Sequence, residues 1–296
     1  MKNTVYPHDS FIRCILSNKS IAIEYFKSYL PPFISSQLHF ASLTQLPDTY
    51  LSEDLIKTMS DIVYSCQRKN GSPPVKISLL IEHKSYPDKH TSIQMGRYIF
   101  SALQKQVINK EPLSIVIPVL LYHGKGKWRY QTLTGLFEKV DADWLQYIPS
   151  FEYVYNNLGI LDDEAVEHLN NKFLAASILA LKHCSEKKWL SDHATKLLLW
   201  ASTGSSDLQK GFIIYLYGRA ALKEEKILNS LPDPIRKTIM NTLDIYIEKG
   251  RKEGIEKGKE QVINNLLATG KFSVAEIAAF AGVTEAFVKK QLQSSK

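Results

Sequence analysis

Residues 61–98 read DIVYSCQRKNGSPPVKISLLIEHKSYPDKHTSIQMGRY, and this stretch decides the fold. Two β-rich runs flank Asn70-Gly71-Ser72-Pro73-Pro74, a cluster of turn formers, so the runs are expected to pair as a hairpin. Ile77 to Ile81 is nearly all apolar, which suits a central strand covered on both faces better than a half-exposed edge. After Pro87-Asp88 the pattern predicts a helix over about 89–108, and SIVIPVLLYHG then reads as another buried strand ending at a glycine turn.

Outward from this centre, FIRCILSNKSIAIEYFKSYL places Phe11, Ile15, Ile23, Phe26 and Leu30 near helical spacing. One helix over about 9–29 is expected, with Asp9 as its N-cap and Pro31-Pro32 as its stop. QLHFASLTQLP and FEYVYNNLG read as further strands, and Asp48 to Lys57 as a helical turn. The implied sheet is mixed and flanked by helices, in the α/β class. Residues 125–150 read as an exposed loop with an amphipathic segment, and the pattern is helical from Asp162 to Asn241. The chain thus divides into a core over 1–160, a helical extension over 161–245 and a tail over 246–296.

In the tail, Gly250, Gly254 and Gly258 line one helical stripe amid nearly balanced charge, consistent equally with a charged linker and with helix pairing. NNLLATGKFSVAEIAAFAGVTEAFVKKQL follows, with Ser273 and Thr284 as N-caps, in a helix-turn-helix pattern.

Composition sets bounds on function. The chain has 37 Lys and Arg against 30 Asp and Glu, and a pI near 9.0, a mild bias toward a polyanionic partner. Cys14, Cys66 and Cys184 are odd in number and lack C-x-x-C spacing, so neither a disulfide framework nor a zinc knuckle is indicated and a reducing cytoplasm fits. The N-terminus has no signal-peptide pattern, and no run approaches the about 18 apolar residues of a membrane span. The eight histidines show no H-E-x-x-H, and P-loop, dinucleotide and G-x-S-x-G fingerprints are absent.

The chemistry-bearing residues gather in the opening stretch. Side chains alternate along a strand, so Glu82 and Lys84 share a side while His83 points away. Antiparallel pairing would bring Asp61, at the start of the first hairpin arm, toward Glu82 at the end of the second. Asp61, Glu82 and the main-chain carbonyl of His83 offer hard oxygen ligands for Mg²⁺, with Mn²⁺ or Ca²⁺ as alternatives. Lys84 is expected to orient the attacking water and stabilise charge on a phosphate. Gln94 and Tyr98 are four apart on one helical face, where an amide can fix the water or lysine and a phenol can reach a phosphate. Glu-x-Lys recurs at Glu186 to Lys188 and Glu224 to Lys226, but only the copy at 82 ends an apolar strand. His123 stands at a sheet edge, where it can line a DNA cleft but reads first as a structural or hydrogen-bonding residue, and Lys125, Lys127, Trp128 and Arg129 read as either a backbone-contacting cluster or a solvated loop.

HDSFIRCIL, SDIVYSCQ, IEHKSYPDKHTSIQMGRYI and IPVLLYHGKGKW, with the glycine-punctuated tail, resemble the Rpn recombination-promoting nucleases, the YhgA-like transposase group. That family is assigned to the PD-(D/E)XK superfamily, so the resemblance implies a restriction-endonuclease-like core with an all-helical C-terminal extension. It also implies a cytoplasmic, metal-dependent DNA endonuclease of bacterial origin, linked to RecA-independent recombination or phage defence. Asp61, Glu82 and Lys84 take the superfamily's Asp, Glu and Lys positions. Many relatives carry Gln where this chain has Lys84, and often Arg near Gln94. Asp9 matches the family's His-Asp opening and is read as a cap rather than a ligand. A homo-oligomer is expected, and a self-derived C-terminal inhibitor would start at Met240, the only methionine after Met95. The rival reading is a non-catalytic nucleic-acid-binding or transposition accessory protein.

Overall fold

The computed structural model describes residues 7–47, 62–71, 75–82, 88–220 and 224–294. The chain divides into two compact units, 1–236 and 237–296.

The first unit is built on a five-stranded sheet in the order β1-β2-β3-β4-β5, comprising β1 (Leu38–Gln45), β2 (Ile62–Arg68), β3 (Val75–Glu82), β4 (Val116–Tyr122) and β5 (Val154–Asn157). The expected hairpin is present. β2 and β3 pair antiparallel with Cys66 opposite Val75 and Ile62 opposite Leu79, and Gly71 takes φ +71° in the reversal, a value that costs glycine little. β1 joins β2 antiparallel with a register shift between His39 and Thr44. β3, β4 and β5 are mutually parallel, so β3 is central, as its apolar run predicts. The mixed α/β class is therefore observed.

α1 (Pro7–Leu16) and α2 (Lys19–Tyr29) replace the single helix expected over 9–29. The break follows from Asn18, whose side-chain oxygen accepts from the amides of Ser20 at 3.1 Å and Ile21 at 3.3 Å and so caps a new helix. Asp9 lies in the first turn of α1 and is not its cap, because Pro7, pre-set for helical φ, opens the helix two residues earlier. α3 is a single turn (Pro32–Ser35). The segment read as a turn at Asp48 to Lys57 lies outside the described residues.

α4 (Thr91–Ile108) is the crossover between β3 and β4. Its inward face carries Met95, Tyr98 and Ala102, which pack with Val63, Val116, Leu120, Tyr122 and Tyr153. On α2, Phe26 is fully buried with its ring edge-on to Tyr64 at 5.4 Å, and the Tyr64 hydroxyl donates to the Leu16 carbonyl. Residues 125–150 form short 3₁₀ turns (Thr134–Leu136 and Ala142–Tyr147) with largely exposed side chains, close to the loop expected there.

α5 (Asp163–Glu167), α6 (Lys172–Lys182), α7 (Lys187–Ala201), α8 (Ser206–Arg219) and α9 (Glu224–Asn229) follow. Every residue of α6 from Phe173 to Leu181 is buried, the state expected of a helix apolar all round. α1 packs on α6 and α8, with Phe11 against Phe212 at 5.9 Å and stacked on Tyr215 at 4.0 Å. A cap-like ion cluster fastens α5 to the end of α6: Asp163 accepts from Lys182 at 2.7 Å and from His183 at 2.9 Å. Burial raises the Asp163 carboxyl, but these two donors outweigh it and hold the group below its usual range. A depressed folded-state value gives stability that is present at neutral pH and lost as pH falls through it. Asp163→Asn is therefore expected to lower the melting temperature at pH 7, and the difference from the parent chain to shrink below about pH 4 in thermal unfolding measured at both values.

α10 (Asp233–Thr269) is one continuous helix through the charged, glycine-punctuated segment. Within it Glu248 accepts from Arg251 at 3.0 Å, and Lys252 lies 3.6 Å from the same carboxylate, pairings that support an otherwise exposed helix. Nothing lies within 4 Å of where a Cβ would stand at Gly250, Gly254 or Gly258 among the described residues. In the second unit, Ile263 packs with Ile277, Ala278, Ala281 and Val288 from α11 (Val274–Ala281) and α12 (Glu285–Ser294). Ser273 caps α11 in a reciprocal box with Glu276, and Gly282 ends it at φ +60°. Thr284 accepts from the Phe287 amide at 3.3 Å, so both expected caps are present. Ser273→Ala is expected to speed hydrogen exchange of the α11 amides roughly fivefold, with the exchange of α6 unchanged.

Candidate active site

β3 and β4 run in the same direction, and their register puts Glu82 opposite Tyr122 at the carboxyl ends of both strands. In open α/β sheets, that edge is where ligands bind. β5 reaches the same edge, with Asn157 opposite Tyr122. β2 runs the other way, so its first residue, Ile62, lies toward this edge, opposite Leu79 and three residues from Glu82. Asp61, His83 and Lys84 lie outside the described residues, and only the backbone of Glu82 is described.

The residues of α4 are fully described. Asp88, just before the helix, accepts from the His90 amide at 2.9 Å with one carboxylate oxygen and from Gln94 Nε2 at 3.3 Å with the other. The Gln94 amide is thereby oriented, and its Oε1 is buried with no hydrogen-bond partner among the described residues. A buried carbonyl oxygen without a donor is costly. Tyr98, one turn further on, is 1% exposed and its ring belongs to the sheet-facing core. The stripe of Met95, Tyr98 and Ala102 carried that signal in sequence, since i, i+3, i+7 apolar spacing marks a core face.

Past β4 the chain folds back under Tyr122. Its hydroxyl donates to the Gly126 carbonyl at 3.1 Å, and its ring meets Trp128 edge-on at 4.8 Å. A Cβ at Gly124 would stand 2.5 Å from the Tyr122 oxygen, so this turn requires glycine. Burial raises the Tyr122 phenol and pushes Tyr155 up to about 12, so both stay protonated donors at neutral pH. Trp128 is buried and its carbonyl accepts from Tyr155 at 2.9 Å. The basic-aromatic cluster read at 125–129 is thus corrected: its aromatic member packs inward because the Tyr122 and Tyr155 rings enclose it, and Lys125, Lys127 and Arg129 alone face solvent. His123 is also buried.

A cleft of about 960 Å³ opens at the other end of the sheet, lined by Val75, Val116 and Val154 at the strand starts and by Phe33, Ile99 and Leu103. Its walls are mostly apolar and carry a single carboxylate, Glu152, so they offer no clustered acidic ligands. No described helix is long and apolar enough to cross a membrane.

The fold is a mixed α/β sheet with flanking helices. The chain belongs to the family described as "Putative transposase, YhgA-like", whose model matches residues 6–208. Among curated relatives, recombination-promoting nuclease RpnD of Escherichia coli O157:H7 is 26% identical over 168 residues, 56% of this chain and 64% of that protein. Recombination-promoting nuclease RpnC of Escherichia coli (strain K12) is 27% identical over 120 residues, 40% of this chain and 39% of the relative. The chain thus spans less than two-thirds of the length of either relative. A third relative in the K12 strain, YjiP, named a "putative inactive recombination-promoting nuclease-like protein", is 25% identical over 100 residues, 34% of this chain and 95% of that protein. No solved structure matches the chain.

Proposed function

We propose that the protein is a metal-dependent DNA endonuclease of the PD-(D/E)XK type that promotes recombination. The observation that carries this reading is Glu82 at the carboxyl edge of the parallel strands, followed by a helix that buries the Gln94 oxygen without a hydrogen-bond partner among the described residues. Relatives named recombination-promoting nucleases support it, as does an antiparallel hairpin joined to a parallel crossover.

The donor set fits a hard divalent cation. Asp61, Glu82 and the His83 carbonyl would hold Mg²⁺, with Mn²⁺ as an alternative, and Gln94 Oε1 is an additional hard oxygen on the neighbouring helix. Bound there, the cation would supply Lewis-acid polarisation of the phosphate and a lowered pKa for water. Lys84 would orient the attacking water and offset charge developing on the phosphate oxygens. Asp88 fixes the Gln94 amide so that its oxygen is already oriented before substrate arrives, which removes a reorganisation cost from the reaction. Lys125, Lys127 and Arg129, exposed beside the same strand end, supply sequence-independent attraction to the DNA backbone.

The test is conversion of supercoiled plasmid to nicked or linear forms by the purified full chain, expected with Mg²⁺ and abolished by chelation. The relative named inactive favours a second reading, a DNA-binding accessory without cleavage. That reading predicts salt-dependent plasmid binding with no nicking under any divalent cation. The second unit begins at Lys237, close to Met240, so a product started there would contain nearly the whole of that unit, in keeping with a self-derived regulatory fragment.

A further inference from the structure

His8 on α1, His123 just after β4 and Cys184 just after α6 converge although 176 residues separate the first from the last. One nitrogen from each histidine and the Cys184 sulfur all lie within 4.8 Å of one another. Both histidines are only 3% exposed, while Cys184 is half-buried. We propose that these three residues bind a divalent transition cation of the Zn²⁺ class, a site separate in chemistry from the carboxylate edge.

Geometry supports it first. His123 Nδ1 stands 3.8 Å from Cys184 Sγ, at the outer limit for a hydrogen bond involving sulfur. Across a tetrahedral zinc, bonds of about 2.0–2.1 Å to nitrogen and about 2.3 Å to sulfur put the same two atoms about 3.6 Å apart. The observed spacing therefore needs almost no change, and the His8 nitrogen lies within 4.8 Å of both atoms. Three protein ligands leave a fourth position for water, on the side where Cys184 is open.

The supporting shell is also built. The Tyr215 hydroxyl lies 2.7 Å from His8 Nδ1, and its ring is held in a parallel stack on Phe11 at 4.0 Å with 8° between planes. The His8 and His123 rings are 4.7 Å apart and tilted by 42° rather than stacked face to face. Histidine ligands are characteristically oriented by such a second hydrogen bond, whose loss commonly lowers metal affinity by about 10–100-fold. A nitrogen and sulfur donor set selects Zn²⁺, Co²⁺ or a related soft cation and has little use for Mg²⁺, which prefers oxygen. Bound metal would fasten α1, the end of β4 and the end of α6 to one another.

The test uses the full chain stripped of metal and titrated with Co²⁺. One equivalent is expected to produce a thiolate-to-cobalt charge-transfer band and tetrahedral d–d absorption, and Zn²⁺ to displace it while a large excess of Mg²⁺ does not. Cys184→Ser should abolish the charge-transfer band and weaken Co²⁺ binding at least about 10-fold, and Cys14→Ser should leave both unchanged. Because His8→Ala can disturb the core, Zn²⁺ protection of Cys184 from alkylation in the unmutated protein, read by mass spectrometry against Cys14, is the independent measure. Absence of a thiolate band in folded protein, a band that persists in Cys184→Ser, or equal alkylation of Cys184 with and without Zn²⁺ would overturn the site. None of these readouts depends on cleavage, so the proposal stands or falls apart from the nuclease reading.

Discussion

Glu82→Gln is expected to reduce Mg²⁺-supported plasmid cleavage by at least about 100-fold while leaving the melting temperature within about 1 °C of the parent chain. The substitution keeps the side chain's size and removes only its charge. A carboxylate that holds a hard cation cannot be replaced by a neutral amide without a large loss of affinity, because the amide offers one weaker oxygen and no charge. Backbone pairing with Tyr122 does not involve the Glu82 carboxyl, so the strand end is retained. Asp61→Ala and Lys84→Ala should produce losses of the same order, and raising Mg²⁺ should partly rescue Glu82→Gln but not Lys84→Ala, whose charge is proposed to act on the phosphate rather than on the cation. Cleavage by all three variants at the parental rate would remove these residues from the reaction altogether.

Phe212→Ala is expected to be the most damaging of the core changes considered, at about 3–5 kcal/mol. Its ring is fully buried and meets Phe11 at 5.9 Å and Phe173 at 6.2 Å, so one truncation opens a void where α1, α6 and α8 converge. Neighbours anchored on three helices cannot collapse into that space together, and the cavity cost adds to the lost transfer energy. Phe33→Ala, on a ring 69% exposed, is the control and should cost no more than about 0.5 kcal/mol. All four tryptophans lie between Trp128 and Trp200, so denaturation followed by selectively excited tryptophan fluorescence reports on the first unit alone. A midpoint for Phe212→Ala equal to that of Phe33→Ala would show that the helices do not close on this ring.

The hairpin and the crossover were legible in sequence because their signals are local. Asn70-Gly71 names the reversal, and the run ending at Glu82 lacks the alternation of a half-exposed strand. Both capped helices of the tail were legible for the same reason, each start depending on a hydroxyl and the amides just beyond it. The break at Asn18 was carried by a single side chain without proline or glycine, and the apolar spacing continues across it. Trp128 was misplaced because its fate depends on Tyr122 and on Tyr155, the latter 27 residues away, rather than on the lysines beside it. The grouping of His8, His123 and Cys184 left no trace in spacing at all, since only the packing of α1 and α6 around the end of β4 brings them together. At the carboxylate edge, sequence identified the glutamate at its strand terminus, while the role of Asp88 in orienting Gln94 emerged only from coordinates.

The two margins of the sheet have a bearing on how copies of this chain can associate. One margin is β1, whose register slips partway along, and the other is β5, only four residues long. Neither presents the long, flat row of free amides and carbonyls that templates strand addition from another molecule. Self-association, if it occurs, is thereby directed to helical or loop surfaces, and fibrillar extension of the native sheet is discouraged by its own borders.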